Sequence, residues 1–108
     1  MKEKVLLARN VATRLYAAEN AVDAAIVEVT ALMAAMVQTR RDLELSATVG
    51  AEALSSIGDA VTALNQARAA TVEGHHELAK VQDALRIPAA AMSPSFKPWF
   101  LEHRRQAG

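Results

Sequence analysis

The sequence predicts an all-α protein: a long antiparallel helical hairpin that dimerises into a four-helix bundle and carries an aromatic C-terminal tail. Three observations lead there. Between Val5 and Leu85 the apolar residues recur at the three-and-four spacing of a helix seam. The seams of the two halves match each other in reverse order about a turn expected between Leu45 and Thr48. Finally, apolar residues make up 52% of the chain but aromatics only 4%, because alanine dominates, and alanine favours helix and close helix contact over a bulky core.

The first arm is expected over residues 3–44. Its seam runs Val5, Ala8, Ala12, Leu15, Glu19, Val22, Ile26, Val29, Met33, Met36, Arg40 and Leu43, with only Glu19 and Arg40 polar. Arg9, Arg14, Asp23 and Glu28 lie off the seam and read as a solvated face. A second apolar stripe lies beside it, formed by Leu6, Leu7, Val11, Ala18, Ala21, Ala25 and Leu32. A two-helix hairpin alone would leave that stripe in water, so the first arm is expected to dimerise the protein.

The turn follows the charged cluster Arg40, Arg41, Asp42 and Glu44. Ser46 or Thr48 is the expected cap of the second arm, and Glu52 in its first turn complements the helix dipole. The second arm, residues 48–86, carries the seam Leu54, Ile57, Val61, Leu64, Arg68, Thr71, His75, Leu78, Gln82 and Leu85. In antiparallel register Met36 falls opposite Ile57, Val29 opposite Leu64 and Leu15 opposite Leu78, and Gly74 falls opposite Glu19. Pro88 ends this arm, since the residue before a proline avoids helical dihedrals. The hairpin domain is thus residues 1–87.

Residues 88–108 are a linker and tail. Small residues and Pro94 lead into Phe96, Lys97, Pro98, Trp99, Phe100 and Leu101, where three of the chain's four aromatic residues fall within five positions. Pro98 suits the first position of a short helix over 98–105. Such concentrated apolar area is costly in water. Phe96, Trp99, Phe100 and Leu101 are therefore expected to dock, either over the open end of the bundle or on another protein.

The seam's polar residues Glu19, Arg68 and His75 are expected to form a structural layer that fixes register and partner choice at a cost in stability. On that reading Glu19 pairs with His75 or Arg68, and Glu19→Leu is expected to raise thermal stability. Glu73 and His76 have the Glu-x-x-His spacing of carboxylate-bridged metal bundles and are the alternative metal-ligand candidates, with Glu19 and His75 nearby. The motif occurs once, whereas such bundles take it from two helices. No cofactor is expected.

Other functions find less support. With 12 basic and 12 acidic residues the chain is formally neutral, so no global field draws it to nucleic acid or anionic lipid; the basic pairs Arg40–Arg41 and Arg104–Arg105 are short and interleaved with acids. There is no cysteine, no glycine-rich phosphate loop and no nucleophile elbow. The longest charge-free run in the arms, Val29 to Thr39, falls short of a membrane span, and Met1-Lys2-Glu3-Lys4 leads directly into amphipathic helix. The expectation is a cytoplasmic, non-enzymatic homodimer that acts as a structural or protein–protein interaction module.

Overall fold

A computed structural model describes residues 2–88 and Ala91. Two long helices account for almost all of them: α1 (Lys2–Asp42) and α2 (Ala51–Ala84), with no strand among the described residues. The tail residues Phe96, Trp99, Phe100 and Leu101, and the short helix expected over 98–105, lie outside the described residues. The contacts divide into two compact units. One takes, of the described residues, 2–19 with 70–88 and Ala91; the other takes Asn20–Ala69.

Both helices end in the same way. At the end of α1, the Leu45 amide donates to the Arg40 carbonyl and the Glu44 amide to that of Arg41, each at 3.0 Å. At the end of α2, the Ile87 amide donates to Gln82 at 3.1 Å and the Arg86 amide to Asp83 at 3.0 Å. This nested pair of bonds satisfies the last carbonyls and requires a left-handed residue just past the helix. Glu44 (φ 53°) and Arg86 (φ 58°) take that conformation without being glycine. The helices therefore stop at Asp42 and Ala84, each two residues before the expected end.

The start of α2 also differs from expectation. The Ser46 hydroxyl accepts the Thr48 amide at 3.3 Å, and the Ser46 carbonyl accepts the Val49 amide at 3.0 Å, so Ser46 shapes the turn and caps nothing. Gly50, at φ 75°, takes the cap position expected of Ser46 or Thr48: its carbonyl accepts the first helical bond, from the Leu54 amide at 2.9 Å. The unit containing this turn keeps Val22, Ile26, Val29, Met33 and Met36 half-buried with Leu54, Ile57, Val61 and Leu64. Leu43, placed in the seam by its spacing, is 63% exposed because α1 has already ended.

The other unit holds the most deeply buried residues. Ala12 and Ile87 form a small cluster, with Val5, Ala8 and Ala91 packed against it. Ile87 is only 3% exposed. Its amide is tied to the Gln82 carbonyl, and its own carbonyl accepts the Gln82 side-chain amide at 3.0 Å. Two cations of α1 hold the chain beyond α2 in place. Lys4 Nζ donates to the Leu85 carbonyl at 3.3 Å, and the half-buried Arg9 Nε donates to the Ala91 carbonyl at 2.7 Å. Arg9 is thus not on a simple solvated face: it fastens the segment after Pro88.

Among the described residues only Ala12, Ile87 and His75 are buried. Leu6, Leu7, Val11 and Leu32, members of the second α1 stripe, are 60%, 61%, 48% and 45% exposed. By length and composition alone α1 also passes as apolar enough to cross a membrane, its best 18-residue stretch containing no more than two charged residues. Counting only uninterrupted apolar runs, as in Val29 to Thr39, understates this.

Candidate functional site

The one buried polar constellation among the described residues joins α1 to α2 in the unit that also contains Ile87. Tyr16 and Glu19 are three residues apart on α1 and so share a face. His75 on α2 meets both. Its Nδ1 stands 2.7 Å from Glu19 Oε1, within ion-pair distance, and its ring meets Tyr16 edge-on with centroids 5.6 Å apart. The His75 side chain is 4% exposed and that of Glu19 17%. An imidazole and a carboxylate so far from water cost desolvation, which the pair offsets by facing each other.

Arg68 belongs to the other unit and has different surroundings. Its Nε donates to Asp23 Oδ1 at 3.0 Å, and both side chains are more than half exposed. The buried polar layer therefore has Glu19 and His75 as members, while Arg68 lies at the surface with a carboxylate partner of its own. Exposed pairs of this kind add little stability, because water competes for both charges.

Glu73 and His76 are exposed, on a different side of α2 from the buried His75. Among the described residues no group of three or more His, Cys, Asp or Glu side chains is placed to hold a metal ion.

Next to the Glu19–His75 pair opens an apolar groove of about 280 Å³. It is walled by Leu7, Val11 and Leu15 of α1 and by Leu78, Val81 and Leu85 of α2, with Ile87 at its end. Its polar lining residues are Lys4, His75 and Gln82, and each has a partner: Lys4 the Leu85 carbonyl, Gln82 the Ile87 carbonyl and His75 the Glu19 carboxylate. No nucleophile stands beside the imidazole in this lining. The groove offers an apolar wall and no polar group awaiting a ligand, so its chemistry is that of burying apolar side chains.

The sequence pattern passes over Ile87 and assigns Arg9 to a solvated face, where the structure has it bonded to the Ala91 carbonyl. Ile87 follows the last helical turn, where no periodicity flags it, and Arg9 stands outside the seam. The available signal was the pair Ile87-Pro88: a large apolar residue just past a helix end, followed by a proline, commonly packs back on the helix.

No protein-family model, curated protein or solved structure matches this chain.

Proposed function

We propose that this protein is a non-enzymatic structural or protein–protein interaction module of the cytoplasm, working as a homodimer in which two hairpins form a four-helix bundle. The observation that carries this reading is the apolar surface of α1. Leu6 (60%) and Ala18 are exposed in one unit and Ala21 and Leu32 (45%) in the other, all at positions that helical spacing assigns to the stripe beside the seam. A chain that is 52% apolar yet buries only three of its described residues has far more apolar area than it covers by itself. A second copy supplies the same stripe and so a self-complementary interface. The alanines allow close approach of the paired helices, and Leu32 supplies the larger contact.

The engagement of Lys4 with the Leu85 carbonyl and the enclosure of His75 against Glu19 favour binding over catalysis. Asp23 and Glu28 interrupt the apolar length of α1, which favours a protein partner over lipid.

Light scattering on the full chain tests the proposal: the mass of two chains, persisting on dilution to micromolar concentration, is expected. Leu32→Glu is expected to yield single chains. A monomeric wild type, or recovery of the protein with floated phospholipid vesicles, would overturn the reading.

A further inference from the structure

The apolar groove in the Ile87 unit stands beside the point where the described chain ends. Ile87 is one of its walls, and Ala91 packs on the Ala12–Ile87 cluster, held by the 2.7 Å bond from Arg9. After Ala91 come Met92, Ser93, Pro94 and Ser95, and then Phe96 and Trp99. We propose that this groove is the docking site of the chain's own C-terminal tail, with Phe96 and Trp99 as the side chains that fill it.

Reach, chemistry and concentration support the assignment. An extended chain covers at most about 3.5 Å per residue, so Phe96 lies within roughly 17 Å of Ala91 and Trp99 within roughly 28 Å. The α1 side of the groove, from Lys4 to Leu15, is only about 17 Å long at a helical rise of ~1.5 Å per residue. Both aromatics therefore reach any part of it without moving the anchor. The groove's three polar lining residues are already partnered, so what it lacks is apolar cover, and Phe96, Trp99, Phe100 and Leu101 are the largest apolar cluster outside the helices. A short tether also raises the local concentration of the tail to the order of millimolar, so weak docking suffices in cis, whereas a second copy must pay for association in full. The dimer proposed above rests on Leu6, Ala18, Ala21 and Leu32, none of which lines this groove.

The sole tryptophan, Trp99, reports on the proposal directly in the full chain. Its emission is expected to be blue-shifted from that of free tryptophan, protected from acrylamide, and unchanged on dilution. Leu7→Glu and Val81→Glu, at groove positions 61% and 50% exposed, are expected to red-shift it and raise the quenching constant several-fold while circular dichroism stays helical. Val27→Glu, 63% exposed in the other unit, is the control and is expected to leave it unchanged. Emission like that of free tryptophan overturns the proposal. So does a blue shift that ignores both groove variants, that responds equally to Val27→Glu, or that disappears on dilution, the last of these assigning the tail to a second copy. Light scattering on the same samples reports the dimer separately, so failure of either proposal is distinguishable from failure of the other.

Discussion

His75 and Glu19 meet 2.7 Å apart across the two helices, and the imidazole is almost wholly shielded from water. Burial of the imidazole changes what is expected of Glu19→Leu, for which the pairing of Glu19 with His75 or Arg68 by itself suggests a gain in stability. Glu19→Leu removes the carboxylate from Nδ1 of a residue that is 4% exposed, and loss of one partner from a buried polar pair costs about 1–3 kcal/mol. The single variant is therefore expected to be less stable than the wild type in urea denaturation. Replacing both residues, Glu19→Leu with His75→Leu, leaves no stranded group and is expected to recover most of the loss or exceed the wild type. A single variant as stable as the wild type would mean that the pair contributes nothing.

Ile87→Ala is expected to cost about 2–4 kcal/mol, because the residue is 3% exposed and its removal leaves a void against Ala12, Val5 and Ala8. Urea midpoints of variant and wild type provide the check. A loss under about 0.5 kcal/mol would show that the site is solvated, as surface positions usually give changes of that size.

Glu44→Gly and Arg86→Gly are each expected to stabilise by about 1 kcal/mol, since both residues hold a left-handed conformation that disfavours side chains. Gly50→Ala, at φ 75°, is expected to destabilise by a similar amount. Thermal melts separate the two directions, with a shift of several degrees per kcal/mol for a chain of this length.

Gly74→Ala has a different basis. A methyl group there meets nothing within 4 Å in the single chain, so the helix gains about 1 kcal/mol from the better propensity of alanine. A lower melting temperature for this variant would place a neighbouring copy's backbone against α2 at Gly74.

Arg68→Ala is expected to change stability by less than about 1 kcal/mol, because the Asp23 pair is more than half exposed and competes with water and salt. The small difference should shrink further in high salt, and a loss of several kcal/mol would show that the guanidinium has a buried role.

The helices were legible because period is a property of sequence. Val5, Ala8, Ala12 and Leu15 recur at helix spacing, and all are buried or half-buried. The meeting of Glu19 with His75 follows from the same pattern once the arms are laid antiparallel. The helix ends were not legible in this way. Glu44 and Arg86 take positions where a glycine would have announced the stop, so the seam continued on paper through Leu43 and Leu85, which the structure leaves 63% and 42% exposed. Arg68 misled for a related reason. Seam position alone does not distinguish a residue whose charge is enclosed from one whose long side chain carries its charge out to solvent.

The clasp formed by Arg9 and the Ala91 carbonyl joins residues 82 apart in the chain, and that of Lys4 and the Leu85 carbonyl joins residues 81 apart. Contacts so distant in sequence must wait until the loop between them has been shortened by other structure, because closing it unaided costs entropy without return. The clasp is therefore expected to form late, on the native side of the folding barrier. Weakening it at Arg9 or Ile87 should leave the refolding rate nearly unchanged and appear as faster unfolding, so that the unit containing Ile87 would set the protein's kinetic lifetime.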